Sequence, residues 1–166
     1  MKRLYYFFVV TFVVVLFLSC SRTEKAVGGS APPFVLSTIK SQILNLNDYR
    51  GKVVMLEFFA SWCPPCNMVA PELKTIYEKY RGKGFVILAI AIDDGPNALS
   101  AVNSFVNEFR LPFPVMIDNG SVSRQYQVIS IPTSFIIDKE GKIRDKHVGV
   151  LPDLAGTLSE EIETLL

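Results

Sequence analysis

The chain has 166 residues, with 17 Lys and Arg against 16 Asp and Glu, for a formal net charge of +1. Near-neutrality without a long basic stripe excludes electrostatic capture of nucleic acid, and the length suits one domain plus a leader. Apolar residues make up 49 % of the chain, and enough of them lie beyond the apolar start to build one compact core.

Lys2 and Arg3 open the chain, and Leu4 to Leu18 is an apolar run broken only by Thr11. At about 15 residues the run is short of the ~20 that span a bilayer comfortably. Ser19 then offers a small residue before a cut, so residues 1–20 read as an export signal. The segment resembles a bacterial lipoprotein signal, which implies that Cys20 is lipidated and becomes the new N-terminus. An uncleaved membrane anchor and plain secretion are the other readings. All three place the domain outside the cytoplasm, where disulfides persist, and the lipoprotein and anchor readings tether it in the cell envelope. Residues 21–31, SRTEKAVGGSA, are small and polar and read as a flexible tether, which leaves 32–166 as the folded domain.

The domain opens with two brief apolar stretches around a polar centre, Thr38 to Gln42, and a turn at Asp48 to Gly51. VVMLEFFA, Val53 to Ala60, lacks alternation and predicts a strand buried on both faces. Pro64 to about Tyr80 predicts a helix with Val69, Leu73, Ile76 and Tyr80 on one stripe, Pro71 inside it, and Gly82 and Gly84 ending it. Phe85 to Ile92 predicts a second buried strand. Asn97 to Phe109 predicts a helix with Leu99, Val102, Phe105, Val106 and Phe109 inward. FPVMID is a short extended segment, Ser121 to Tyr126 a short helix, and Thr133 to Asp138 a strand. KIRDKHVGV alternates, as an antiparallel partner with one half-solvated face does, and Pro152 to Leu166 is an amphipathic closing helix. This order predicts an α/β fold with a mixed central sheet flanked by helices.

Three cysteines are present: Cys20, Cys63 and Cys66. Cys63 and Cys66 lie in WCPPC, between a buried strand and a helix start. Zinc needs four ligands, and only His147 and the leader's Cys20 remain to complete a set. A structural bridge would close a very small loop, where cross-linking gains least. A redox dithiol fits the position, because backbone N–H groups and the helix dipole favour a thiolate there. Cys63, on the exposed side of the helix start, is the expected nucleophile, and Cys66, one turn in, the buried resolving thiol. Pro65 presets the helical backbone where no N–H is needed, and Trp62 is a candidate for the docking rim.

The segment LEFFASWCPPCNMVAPEL resembles the active-site stretch of the thioredoxin superfamily. Together with LNDYRGKVV, the inserted stretch through FPVMID, ISIPTSFIIDKEGKI and the late HVGV, it resembles the TlpA/ResA-type thiol–disulfide oxidoreductases of the AhpC/TSA-redoxin group, from about Ala31 to the end. The resemblance implies a thioredoxin-like three-layer α/β/α fold and a redox-active Cys63–Cys66 disulfide that needs no cofactor. It also implies a cis bond at Ile131–Pro132 beside the cysteines, with Ile131 pairing to an extended client segment and Trp62, Pro64 and Pro65 completing the docking surface. Glu57 matches a buried carboxylate that trades a proton with Cys66. Ala89 falls beside it in the neighbouring strand and leaves it unpaired. Asp93 or Asp94 could instead supply an acidic partner, although both have the look of turn residues. Pro71 matches a structural helix proline, and His147 reads as a surface or packing residue.

The implied activity is reduction of disulfides in exported proteins. Clients would be apocytochrome c cysteines or copper-site thiols, and the electrons would come from a membrane thiol carrier. The oxidising relatives usually carry a His between the cysteines, and Pro64–Pro65 offers none. Two rivals stay open. A thiol peroxidase would place Thr three residues before its cysteine, where this chain has Ala60. A Cu(I) or haem chaperone could use the same dithiol, with no Met- or His-rich stretch to assist it.

Overall fold

The computed structural model describes residues 27–166. The leader, Cys20 and the first part of the tether, 21–26, lie outside the described residues. A small antiparallel hairpin, β1 (Val35–Ser37) and β2 (Ile43–Asn45), leads through a 3-10 turn, Leu46–Tyr49, into the main sheet. That sheet contains β3 (Val53–Phe59), β4 (Phe85–Ala91), β5 (Val115–Ile117), β6 (Thr133–Ile137) and β7 (Ile143–Val148). Its spatial order is β5-β4-β3-β6-β7. β3, β4 and β5 run parallel, β6 runs antiparallel to β3, and β7 runs antiparallel to β6. Every residue of β3 and β4 is buried, which is why neither run alternates in polarity. β7 lies at the edge and does alternate between covered and exposed positions.

Four helices complete the domain: α1 (Pro64–Tyr80), α2 (Ala98–Phe109), α3 (Ser121–Gln125) and α4 (Leu154–Leu165). One face of the sheet, carrying Val53, Met55 and Phe59, packs on Val69, Leu73 and Ile76 of α1, Val102 and Phe105 of α2, and Leu158 and Ile162 of α4. The other face, carrying Val54, Leu56 and Phe58, packs on Leu44 of the hairpin, Leu46, Val122 of α3 and Tyr126. The result is the mixed-sheet α/β arrangement expected from the element order, with a hydrophobic core on each side of the sheet.

Two expectations are corrected. Gly28 to Ala31 do not belong to a tether. Gly28 N–H donates to the Ile143 carbonyl at 2.7 Å, Ile143 N–H to Gly29 at 2.9 Å and Ala31 N–H to Gly141 at 2.9 Å. Small side chains let this backbone lie against the start of β7, so the folded domain begins near Gly28 and not at 32. Leu99 is not inward but 52 % exposed. The buried stripe of α2 begins a turn later, at Val102, and continues through Phe105.

Candidate active site

β3 ends at Phe59, and the chain turns through Ser61 and Trp62 into α1. Cys63 is the N-cap of that helix, with extended backbone (φ −95°, ψ 107°) and a sulfur that accepts the Cys66 N–H at 3.3 Å. The helix's first two positions are Pro64 and Pro65, which have no N–H to leave unsatisfied. Cys63 and Cys66 are joined in a disulfide, with Cα atoms 5.3 Å apart. The two prolines and Trp62 are exposed around it, Trp62 by 66 %.

Cys63 is not on an exposed side of the helix, as expected, but 4 % exposed, close to the 3 % of Cys66. Its side chain folds back over the first turn of α1 as a cap, and the Ile131 carbonyl lies 3.9 Å from its sulfur. The Ile131–Pro132 bond is cis, as the resemblance implied. Pro132 is buried, and its carbonyl accepts the Gly149 N–H at 2.8 Å, which fixes the lead into β6 against the loop after β7.

Asp93 has a different place from either reading of it. It leaves the end of β4 only 3 % exposed and accepts the Ser61 N–H at 3.0 Å and the Ser61 hydroxyl. It therefore holds the turn that delivers Cys63 and does not act as an acidic partner for Glu57. Asp94 is exposed. The signal for Asp93 was its position, two residues past a fully apolar strand that runs parallel to the strand before WCPPC.

Glu57 stands in the middle of β3, opposite Ala89 of β4 and Ser134 of β6. It is 5 % exposed and has no ion-pair partner among the described residues. Burial pushes its carboxyl up to about 8, because the charged form is the one that loses its hydration. Glu57 and Cys66 line one small cavity whose remaining wall is apolar, including Phe59, Val69, Ala70 and Phe105. The cavity measures about 10 Å³, room for a single water. A carboxyl whose proton affinity burial has raised thus shares one cavity with Cys66. His147 is half-buried on β7, with Nε2 3.0 Å from Glu161 Oε2 of α4.

Residues 27–146 match the AhpC/TSA family. A thiol-disulfide oxidoreductase ResA of Bacillus cereus is 41 % identical over 74 % of this chain and 70 % of its own length. A thioredoxin-like protein YneN of Bacillus subtilis is 33 % identical over 82 % of this chain and 81 % of its own. Among solved structures, a candidate thiol:disulfide interchange protein DsbE from Chlorobium tepidum superposes with a TM-score of 0.78 at 35 % identity, covering 84 % of this chain and 97 % of that one.

Proposed function

Because the chain belongs to the AhpC/TSA family and is a thioredoxin-like thiol–disulfide oxidoreductase of the ResA and DsbE type, we propose that it works as a reductase of disulfides in exported proteins. The observation that carries this reading is the capped cysteine pair with the buried Glu57 on the cavity behind it.

In the reduced protein the Cys63 sulfur lies where the Cys66 N–H and the start of α1 stabilise a thiolate. That thiolate attacks one sulfur of a client disulfide. One client sulfur leaves with its electron pair, and a mixed disulfide with Cys63 remains. Cys66 then gives its proton to Glu57 and attacks Cys63. The Cys63–client bond breaks, the second client sulfur leaves reduced, and the Cys63–Cys66 disulfide forms. Two electrons have passed to the client. Trp62, Pro64, Pro65 and the Ile131–Pro132 lead form the docking surface, where an extended client segment pairs with the Ile131 backbone.

The direction is argued from what lies between the cysteines. Two prolines donate no hydrogen bond to a Cys63 thiolate, so no side chain there favours the reduced form. The leader supports a site of action in the envelope, with Cys20 lipidated and the domain tethered outside the cytoplasm. A membrane thiol carrier would restore the dithiol, and cysteines awaiting haem or copper are fitting clients. Insulin reduction by the purified protein tests the reading. Wild type should reduce insulin, and the Cys63→Ser variant should have lost the activity. Full activity in that variant overturns the reading.

A further inference from the structure

The sheet register assembles a polar row that the disulfide chemistry above leaves without a role. Glu57 pairs with Ser134 of β6, and Ser134 pairs with His147 of β7. Residues paired across adjacent strands point to the same face, with Cβ atoms about 4.5–5.5 Å apart. Here that face is the one covered by α1 and α4, since Met55, Phe59 and Ile136 on the same strands pack there. At the outer end His147 meets Glu161 of α4 at 3.0 Å. Ser134, His147 and Glu161 thus continue from the buried carboxyl to the edge of the sheet.

The cavity that Glu57 shares with Cys66 gives a proton no polar way out. Its other lining residues are apolar: Phe59, Val69, Leu73 and Phe105 among them. Among the described residues, no protein group hydrogen-bonds to the Glu57 carboxyl or the Ser134 hydroxyl. Yet among the described residues no side-chain oxygen or nitrogen is both enclosed and unpartnered. Both groups therefore touch water-accessible space while their residues are only 5 % exposed. The groups facing Glu57 are Cys66 from α1, Ser134 from β6, Ala89 from β4 and Phe105 from α2. Beyond Ser134, the same face of β7 carries His147 and Asp145, and α4 adds Glu161.

We propose that Ser134 and His147 are the exit for the proton that Glu57 receives from Cys66, with Glu161 holding the imidazole at the outer end. The inference rests on the dithiol reading above. The Cys66 S–H bond breaks and a Glu57 O–H bond forms. Glu57 then passes a proton, by way of water in the space both groups touch, to the Ser134 hydroxyl, which releases its own by the same means toward His147. The imidazole takes that proton on one ring nitrogen and releases one from the other to solvent, with Glu161 stabilising the charged ring. No electrons move in this step. Ser134 and His147 act through Glu57 and touch neither sulfur.

The test uses the reduced full-length protein and the disulfide reagent DTNB in a stopped-flow instrument. The first thionitrobenzoate is released when Cys63 attacks, and the second when Cys66 expels it from the Cys63 adduct. In Ser134→Ala and His147→Gln the first release should be unchanged. The second should slow about tenfold, a modest share of what a proton-transfer group contributes. Imidazole in the buffer should restore the second release in His147→Ala, which a merely structural role for the ring would not allow. Should a His147 variant fail to fold, Ser134→Ala and Glu161→Gln ask the same question. Wild-type rates of second release in Ser134→Ala and in the folded His147 or Glu161 variant overturn the proposal. A wild-type protein that gives no second release overturns the dithiol reading itself, so the two failures are distinguishable.

Discussion

Glu57 and Cys66 line the same cavity, and the cavity has room for one water. Glu57 reaches it from the middle of the sheet, and Cys66 from the first turn of the helix that follows. The carboxyl is buried with no ion-pair partner among the described residues, and burial pushes its pKa up to about 8. A group with that affinity takes a proton from a thiol more readily than an exposed carboxylate does. The second half of the disulfide exchange should therefore depend on it.

The rate at which Cys66 resolves a Cys63 mixed disulfide is expected to rise with pH through an apparent pKa near 8. In Glu57→Gln the same step should be slower by about 10²-fold, the low end of general-base contributions, and should lose that inflection. Second-release kinetics with DTNB across pH 6 to 10 measure both effects. An unchanged profile in the variant would remove Glu57 from the mechanism.

The same carboxyl makes stability depend on pH. Its folded pKa, about 8, lies above its ordinary value of 4.5. Between those values the native state keeps a proton that the unfolded chain has released, so stability falls as pH rises and levels off above about 8. The 3.5-unit difference corresponds to a loss of up to about 5 kcal/mol across that window. Urea unfolding of Glu57→Gln should lack this slope, and the variant should be the more stable protein at pH 9.

Asp93 holds the turn before Cys63 through the Ser61 backbone and hydroxyl. Removing that carboxylate leaves two donors without their partner. Asp93→Ala should cost about 1–3 kcal/mol, seen in urea unfolding, and should slow insulin reduction. Asp93→Asn keeps an acceptor oxygen and should retain most of the stability. Equal stability of Asp93→Ala and wild type would contradict this account of the turn.

Trp62 offers a large apolar surface beside the disulfide and is 66 % exposed. Trp62→Ala should raise KM for insulin about tenfold, as loss of a ~1.4 kcal/mol contact would. The first release from DTNB, a reagent too small to use the rim, should stay at the wild-type rate. Parallel losses with both substrates would show that Trp62 supports the fold and not the client.

Much of this was legible in the sequence because the deciding forces are local or repetitive. Val53 to Phe59 and Phe85 to Ala91 lack alternation because both faces are covered. Placing those two runs side by side put Ala89 next to Glu57, as the register has it. The stripe of α1 followed from helical spacing alone. The misses are contacts between distant segments. Gly28 to Ala31 have the composition of a linker, and that same smallness suits a backbone lying against β7. Cys63 is covered by Ile131, far away in the chain. Asp93 has the polarity of a turn residue, and only the neighbouring strand end supplies the Ser61 donors that occupy it. The row from Glu57 to His147 needs the order of β3, β6 and β7, which no local pattern carries.

The central claim is that the Cys63–Cys66 pair gives electrons to its clients. The reduction potential of the pair, equilibrated against glutathione and dithiothreitol buffers, tests this most directly. The account predicts a value close to thioredoxin's, about −270 mV. A value close to that of the oxidant DsbA, about −120 mV, would contradict it and make the protein a former of disulfides.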